Sequence, residues 1–287
     1  MNRFVSREPV DAGWSGDRKY RVTDETGRAF LLRVAPEAAL ARKQTEFSYV
    51  RRTASLGVPM CRPVDVGLCG EGAYILYEWI DGEDAETVLP SLPPAEQYAY
   101  GESAGRALRL LHAIPAPETQ EDWEARFNRK IDRKIAMYAE CPLHYADGGA
   151  FLRCVAENRA LLHGRPQCFR HGDYHTGNMR IGQDGRLYII DFDRFDFGDP
   201  WEEFNRIVWS AQCAPRFAAG LVNGYFDGDV PLLFWRLLKL YISSNMLGSL
   251  PWAVPYGEAE VKTMQRQASE VLTWFTGMRA DVPTWFS

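Results

Sequence analysis

The chain has 287 residues, of which 46 % are hydrophobic and 25 % are charged, and its net charge is −5. This composition is typical of globular proteins and excludes an intrinsically disordered or fibrous chain. The length allows two lobes that share a cleft.

Charge distribution and cysteine spacing narrow the class of protein further. Residues 1–80 hold 12 basic and 10 acidic residues, whereas the remainder holds 21 basic and 28 acidic ones. This acid excess favours a cationic substrate and argues against nucleic acid. The six cysteines show no C-x-x-C spacing, which predicts reduced structural thiols, and residues 1–8 lack the apolar core of a signal peptide. We therefore expect a cytoplasmic protein.

The first predicted feature is a hairpin over residues 10–22, between two strand-like runs. Gly13, Ser15 and Gly16 lie at its tip, where backbone N–H groups and a hydroxyl would face a phosphate chain. Two glycines three residues apart are equally compatible with an ordinary β-turn. The pattern alone therefore leaves both interpretations open.

A strand over residues 28–34 comes next and carries an isolated cation, Arg33, near its end. A helix is predicted from about Pro36, because proline fits the first turn of a helix. Glu46 lies on the shoulder of the apolar face of that helix, from where it can reach toward the sheet. The alternative is a surface arginine on the strand and a helix-edge glutamate paired with Arg42. The apolar face consists of Leu40, Phe47, Val50 and Ala54.

An apolar strand over residues 74–80 runs into Asp81-Gly82, and four acids follow within six residues, at 81, 83, 84 and 86. The acids form either a solvated helix start or a surface that attracts an amino sugar.

Residues 121–138 form an amphipathic helix with a basic face. This pattern indicates a helix packed on one side, with membrane or partner docking as the alternative. Residues 232–250 are strongly apolar, but Arg236 and Lys239 would each cost roughly 2.5 to 3.5 kcal/mol in a bilayer. We expect a buried core helix there.

The strongest pattern lies in residues 171–191, which begin His-Gly-Asp-Tyr-His-Thr-Gly-Asn. Asp173, Asn178 and Asp191 are the residue types that a phosphoryl-transfer site needs, namely a proton acceptor and two magnesium ligands. The Asp-Gly turn at residues 184–185 predicts a hairpin that returns the chain to Asp191. Two alternatives are a helical zinc pair of His171 and His175, which the glycines disfavour, and a surface hairpin with chance acids.

These residues resemble the catalytic loop and metal-binding aspartate of the aminoglycoside phosphotransferase family, small-molecule kinases related in fold to protein kinases. His-Gly-Asp stands where protein kinases have His-Arg-Asp, and Asp-Phe-Asp at residues 191–193 stands where they have Asp-Phe-Gly. The resemblance implies an α+β, bilobal protein-kinase-like fold, with an N-terminal antiparallel sheet lobe (residues 1–80) and a mostly helical C-terminal lobe (residues 81–287).

The resemblance also implies roles for individual residues. Asp173 would be the catalytic base, and Asn178 and Asp191 would hold Mg²⁺. Gly13, Ser15, Gly16 and Arg33 would contact the phosphates of ATP or GTP, with Glu46 paired to Arg33, although lysine is usual at the Arg33 position. Backbone groups of Glu78 and Ile80 would bind the nucleobase. The Gly-Asp-Pro segment at residues 198–200 would begin a helix that anchors the lobe, with Glu203 in place of the usual aspartate.

The implied reaction is phosphoryl transfer to a hydroxyl of a small, cationic or amino-sugar-like acceptor, with no membrane or nucleic-acid partner. The alternatives are a metabolic kinase of the choline, homoserine or fructosamine type and a nucleotide-binding pseudokinase, for which Arg33 is the best argument. A choline-type kinase would need an aromatic cage. The candidates for that cage are Trp201, Trp209, Trp235 and Trp252.

Overall fold

The structure, a computed structural model, describes residues 4–11 and 16–286. Within these ranges the strands are β1 (Phe4–Pro9), β2 (Arg18–Asp24), β3 (Ala29–Ala35), β4 (Pro63–Cys69), β5 (Gly72–Glu78), β6 (Gly82–Asp84), β7 (Cys168–Arg170), β8 (Met179–Gly182), β9 (Leu187–Ile189) and β10 (Asp196–Gly198). The α-helices are α1 (Leu40–Ser55), α2 (Ala85–Val88), α3 (Pro94–His112), α4 (Trp123–Glu140), α5 (Gly149–Asn158), α6 (Ile207–Cys213), α7 (Pro215–Phe226), α8 (Leu232–Ala253) and α9 (Glu258–Trp274). A five-stranded antiparallel sheet and a largely helical remainder confirm the expected α+β class.

The chain divides into two compact units. The sheet unit comprises Met1–Val88 and His171–Phe195, and the helical unit comprises Leu89–Arg170 and Asp196–Ser287. The 171–191 segment therefore belongs to the same unit as the five-stranded sheet. The lobe boundary expected at residue 80 or 81 stays a prediction.

Strand β3 lies in the middle of the five-stranded sheet, whose order is β1-β2-β3-β5-β4. Side chains alternate between the two faces of a strand, so Phe30, Leu32 and Val34 share one face. These three residues belong to a core cluster with Val22, Tyr74 and Leu76. Arg33 lies on the opposite face of β3 and is only 1 % exposed. The sheet therefore directs Arg33 into the interior, and the surface-arginine interpretation is wrong.

The second sheet of this unit has the order β6-β8-β9. Strands β8 and β9 pair antiparallel, with Met179 opposite Ile189. The turn between them is held by the Asp184 carboxylate, which accepts hydrogen bonds from the backbone N–H of Arg186 and from the Tyr188 hydroxyl. This confirms the predicted Asp-Gly hairpin, which brings the chain back to Asp191.

Two helices of the helical unit agree with the sequence predictions: α8 is a buried core helix, and α4 is packed on one side. Lys239 of α8 is 5 % exposed and its ammonium lies 2.6 Å from the Asp281 carboxylate. No helix among residues 4–11 and 16–286 is long and apolar enough to cross a membrane. Helix α4 buries Trp123, Phe127 and Ile131. On its basic face, two residues are exposed and three are partly buried; the exposed ones are Arg129 and Arg133, and the partly buried ones are Arg126, Lys130 and Lys134.

Glycines let α3 and α7 of the helical unit approach each other closely. A Cβ atom on Gly105 would lie 2.2 Å from the carbonyl oxygen of Leu221, and one on Gly224 would lie 2.2 Å from that of Glu102. Gly101 and Gly220 make the same kind of approach. The contact between these two helices therefore depends on the absence of side chains at four positions.

Replacing Gly105 with alanine is expected to lower the free energy of unfolding by about 1 to 3 kcal/mol, the usual cost of inserting a methyl group into a packed interface. Gly149→Ala is the matched control, because a Cβ on this helical glycine would meet only the flexible Arg153 side chain, at 3.4 Å. Alanine favours helix there, so the control should be neutral or slightly stabilising. Urea unfolding of both variants measures the difference, and equal stability would contradict the close approach of α3 and α7.

Candidate active site

His171 fixes the start of the catalytic loop, which we define as residues 171–178. It is fully buried. Its Nε2 atom donates a hydrogen bond to the Ile190 carbonyl (2.9 Å), and its Nδ1 atom accepts one from the Asp173 backbone N–H (3.2 Å). One neutral tautomer satisfies both bonds. His171 therefore braces the loop against the segment that carries Asp191, and the zinc-pair interpretation is wrong because both ring nitrogens are used.

Asn178 is tied to Asp173 within the same loop. Its side-chain nitrogen donates a hydrogen bond to the Asp173 carbonyl oxygen at 2.8 Å. Its backbone carbonyl accepts the N–H of Ile190 at 3.0 Å. The amide nitrogen is thus engaged in the loop, which leaves the amide oxygen as the atom that can bind a cation.

Gly172 allows the sharp bend between His171 and Asp173. Its φ angle is +85°, and a Cβ atom at this position would lie 1.9 Å from the carbonyl oxygen of Arg194. An L side chain is disfavoured by both the backbone angle and the contact. The structure thus gives a physical reason for glycine in the His-Gly-Asp sequence.

Asp191 follows the second sheet and has a left-handed backbone conformation, with φ 63° and ψ 71°. Its carboxylate accepts a hydrogen bond from the Arg33 guanidinium at 2.5 Å, and Lys19 lies 3.7 Å away. Burial alone would raise the pKa of Asp191, but Arg33 and Lys19 hold this pKa below its usual value. The carboxylate is therefore ionised at neutral pH and suited to bind a cation.

Around Arg33 lies a cluster of opposite charges, all within the sheet unit. The Arg33 guanidinium contacts Asp17 (3.0 Å), Asp191 (2.5 Å) and Asp193 (3.3 Å). Burial would lower the pKa of Arg33, but these carboxylates raise it. We call this set the buried charge network, and it consists of Asp17, Arg33, Lys43, Glu46, Asp191 and Asp193.

Lys43 is the ion-pair partner of Glu46, in place of the expected Arg33. Its ammonium lies 3.3 Å from the Glu46 carboxylate, 2.6 Å from Asp17 and 3.2 Å from Asp193. The other oxygen of Glu46 accepts a hydrogen bond from the Tyr77 hydroxyl at 2.6 Å. Arg42 does not pair with Glu46 either, since its guanidinium donates to the Asp193 carbonyl oxygen at 2.7 Å.

Sequence reasoning did not identify Asp17, Lys43 or Asp193 as parts of the site. One signal for Lys43 was available. The apolar face of α1 has a gap of seven between Leu40 and Phe47, and Lys43 occupies the position inside that gap. A lysine within an apolar stripe must either extend to solvent or find acids in the interior, and here it is 2 % exposed.

The remaining candidate residues are placed as follows. Glu78 and Ile80 line a cavity of about 340 Å³ together with Met60, Asp81 and Tyr188. The backbone groups of Ile80 make no hydrogen bond within the part of the chain that the structure describes. Arg33 and Asp191 do not line this cavity. Gly16 is exposed, and Gly13 and Ser15 lie outside the described residues.

In the helical unit, the Gly-Asp-Pro segment is anchored through Asp199, which is fully buried. The Asp199 carboxylate accepts two hydrogen bonds from the Arg165 guanidinium (2.6 and 2.9 Å) and one from the Tyr241 hydroxyl of α8 (2.5 Å). It also caps the following turn by accepting the Trp201 backbone N–H at 2.9 Å. This arrangement fits the anchoring role that the resemblance implies.

Solved structures of similar fold are small-molecule kinases. A thermostable mutant of aminoglycoside phosphotransferase APH(4)-Ia in ternary complex with AMP-PNP and hygromycin B has a TM-score of 0.68 and 19 % identity, and the match covers 94 % of each chain. Amicoumacin kinase hAmiN in complex with AMP-PNP, Ca²⁺ and Ami has a TM-score of 0.66 and 15 % identity over 94 % of this chain and 90 % of that one.

A choline/ethanolamine kinase family protein from Mesorhizobium loti is similar to the same degree, with a TM-score of 0.66 and 19 % identity over 96 % of this chain and 91 % of that one. At these identities the likeness concerns the fold. Comparison with curated protein sequences gave no significant match. A family model described as "Phosphotransferase enzyme family" matches residues 6–235, which is most of the sequence, and the chain therefore belongs to that family.

Proposed function

We propose that the chain is a small-molecule kinase that transfers the terminal phosphoryl group of ATP or GTP to a hydroxyl group of a small acceptor. The observation that carries this proposal is the geometry of the catalytic loop, in which His171 and Asn178 each bond to Ile190, the residue before Asp191. Asp173 lies between them and is bonded to both. Family membership and the nucleotide-bound structures of similar fold support it.

In this proposal Asp173 accepts the proton of the attacking hydroxyl. The carboxylate is partly exposed, at 17 %, and so can be reached by a substrate. The His175 ring and the Arg194 guanidinium each lie 3.7 Å from this carboxylate. A base held by backbone contacts on both sides keeps its orientation during proton transfer.

Asn178 and Asp191 would hold Mg²⁺. The donor set fits this ion, because Mg²⁺ is usually bound through one or two protein oxygens and substrate phosphates and keeps several waters. The structure offers one amide oxygen, on Asn178, and one ionised carboxylate, on Asp191. When bound, the ion would neutralise the charge that develops on the transferred phosphoryl group.

Arg33 would bind the phosphates together with Gly13, Ser15 and Gly16. Backbone groups of Glu78 and Ile80 would bind the nucleobase. The Glu78 N–H donates to the Arg62 carbonyl at 2.8 Å, so its carbonyl oxygen would make this contact. Glu46 would act through Lys43 by fixing the ammonium, as their 3.3 Å contact suggests.

For the acceptor we propose a cationic or amino-sugar-like small molecule. The acid excess of residues 81–287 favours a cation. The acids at positions 81, 83, 84 and 86 are all exposed. Asp84 is paired with Arg180 at 2.8 Å. The structures of similar fold that contain hygromycin B or Ami support an antibiotic-like acceptor.

An acceptor that carries an acidic group, such as a hydroxy amino acid, is a second candidate. Burial and the neighbouring Arg170 lower the pKa of Lys130 to about 7, although Glu202 lies 3.1 Å from its ammonium. Burial and Lys130 also lower the pKa of Lys134. A carboxylate or phosphate placed beside these two lysines would favour their charged ammonium form.

A choline-type acceptor has less support. Trp235 is 3 % exposed and packs against Trp285 and Phe286, so it is part of the core. Trp252 is 41 % exposed and contacts Tyr256 instead. These two candidates therefore lie in different environments and do not form one aromatic cage.

Saturating magnesium nucleotide is expected to raise the melting temperature, because a ligand that binds only the folded state stabilises it by mass action. At a ligand concentration 100 times Kd, the gain is about 2.7 kcal/mol. Mg-ATP and Mg-GTP are tested separately by differential scanning fluorimetry, with magnesium alone and adenosine as controls. If neither nucleotide moves the transition beyond scatter, the kinase proposal fails.

Turnover is tested with a panel of hydroxylated acceptors in a magnesium-dependent ADP-release assay. The panel contains aminoglycosides, choline, homoserine and sugar amines, each with the Asp173→Asn variant as the blank. ADP release stimulated by amino sugars supports the cationic or amino-sugar-like acceptor. ADP release stimulated by homoserine supports the acceptor that carries an acidic group. Nucleotide binding without any stimulated release would favour the pseudokinase alternative.

A further inference from the structure

Asp17 occupies an unusual position between two buried cations. A single oxygen of its carboxylate accepts hydrogen bonds from the Lys43 ammonium (2.6 Å) and the Arg33 Nε–H (3.0 Å). The side chain is only 10 % exposed. Burial would raise the pKa of Asp17, but Lys43 and Arg33 lower it, so the group is an anion at neutral pH. An oxygen anion that bridges an ammonium and a guanidinium has the chemistry of a bound phosphate oxygen.

The chain position of Asp17 points the same way. It follows Gly16 directly and precedes β2, so it ends the glycine-containing segment that is proposed to contact the phosphates. Arg33 is proposed to contact the same phosphates. The carboxylate and the nucleotide would therefore need the same cation.

Charge balance makes joint occupancy unfavourable. The buried charge network holds four carboxylates, and Arg33, Lys43 and the nearby Lys19 supply three cations. A nucleotide phosphate adds further negative charge to a site that is already short of cations. A metal at Asp191 would offset part of that negative charge. The negative charge of Asp17, beside Arg33 and Lys43, would still repel the phosphate and oppose its binding.

Asp17 can leave the network at a lower cost than Glu46 or Asp191. Glu46 is fully buried and also accepts the Tyr77 hydroxyl, and Asp191 is proposed to bind the metal. Within the described residues, the Asp17 carboxylate has hydrogen bonds only to Arg33 and Lys43, the two cations that a phosphate would engage. Among the residues that the structure describes, its release therefore leaves no other hydrogen-bonding group unpaired.

We propose that Asp17 occupies the phosphate position when nucleotide is absent, and that a nucleotide phosphate replaces its carboxylate between Arg33 and Lys43. This inference rests on the proposed function. It makes Lys43 a second phosphate-binding cation, so that an ammonium from helix α1 complements the arginine of strand β3. It also makes Asp17 a competitor that lowers nucleotide affinity.

The test compares nucleotide affinity and stability in one set of variants. Asp17→Asn keeps the shape of the side chain and removes its charge. It should tighten the binding of Mg-AMP-PNP roughly tenfold, because a competing like charge is gone, while the melting temperature without nucleotide falls. Affinity is measured by isothermal titration calorimetry. If Asp17 were purely structural, Asp17→Asn would lower the melting temperature without tightening nucleotide binding. A lower melting temperature together with tighter binding therefore identifies the competition.

Three controls make the result specific. Asp11→Asn removes the same charge from an exposed position in the same segment and should leave Kd within twofold of wild type. Adenosine has no phosphates, so Asp17→Asn should not tighten its binding. Asp17→Glu restores the charge and should return the affinity for Mg-AMP-PNP toward the wild-type value.

Lys43→Gln gives an independent arm if Asp17→Asn fails to fold. It should weaken the binding of Mg-AMP-PNP roughly tenfold while leaving adenosine binding unchanged. Unchanged nucleotide affinity in Lys43→Gln, or unchanged or weaker affinity in a folded Asp17→Asn, overturns this inference while wild-type binding still supports the kinase proposal. Failure of wild type to bind any magnesium nucleotide overturns both.

Discussion

Replacing Asp173 with asparagine is expected to lower turnover by roughly 10²- to 10⁴-fold, the range for loss of one general base, while nucleotide affinity stays nearly unchanged. Two of the contacts that hold this residue use its backbone N–H and C=O groups, which bond to His171 and Asn178. Both contacts survive the substitution, so the loop should keep its conformation. Single-turnover rates and nucleotide titrations on the same preparation separate the loss of chemistry from the loss of binding.

Asp191→Asn is the matched comparison, since it makes the same chemical change at the proposed metal ligand. It should raise the magnesium concentration needed for both nucleotide binding and turnover, because a metal that bridges the phosphates acts in the ground state and the transition state alike. A magnesium titration of both variants is the measurement. If Asp173→Asn loses magnesium dependence and Asp191→Asn loses only the chemical step, the two roles have been exchanged.

Gly172→Ala is expected to damage both stability and activity. The new Cβ would lie 1.9 Å from the Arg194 carbonyl oxygen, and the backbone angle of +85° is unfavourable for alanine. Steric insertion costs about 1 to 3 kcal/mol, and the left-handed angle adds roughly 1 kcal/mol. Because Asp173 is the next residue, any relief of the clash displaces the proposed base, and turnover should fall at least tenfold, a loss of the size that a small misplacement causes.

Gly27→Ala is the control for the backbone angle alone. Gly27 has the same φ angle, +85°, but a Cβ atom there meets nothing within 4 Å. This variant should lose only roughly 1 kcal/mol and keep its activity. Chemical unfolding and ADP-release rates for the two variants give the comparison. Equal losses in both would mean that the contact with Arg194 does not constrain the catalytic loop.

Local spacing explains why residues 171–191 could be interpreted from the sequence. Asp173 and Asn178 are five residues apart on one loop, and the Asp-Gly turn that returns the chain to Asp191 is a short-range signal. Each of these features depends on neighbours within about twenty residues, so no knowledge of the tertiary fold was needed.

The partners of Arg33 could not be predicted in the same way. Asp193 is far from Arg33 in the sequence, and Asp17 reaches Arg33 only through the pairing of β2 with β3, so both contacts depend on how the strands and the loop pack. Lys43 and Glu46, by contrast, are three residues apart on α1, a spacing from which their pairing could have been predicted. The glycines of α3 and α7 were missed too, although Gly101 and Gly105 are four residues apart, a spacing that places them on one helix face.

The left-handed backbone of Asp191 restricts how this chain could lose its activity in evolution. Aspartate, asparagine and glycine adopt that conformation readily, whereas other residues pay roughly 1 to 2 kcal/mol. An inactivating change to asparagine would therefore preserve the fold, because asparagine tolerates the backbone angle and keeps an oxygen for the buried Arg33 guanidinium. Glycine would leave that guanidinium one acceptor short, and alanine or glutamate would strain the backbone. Descendants that have exchanged phosphoryl transfer for nucleotide sensing should consequently carry asparagine at position 191.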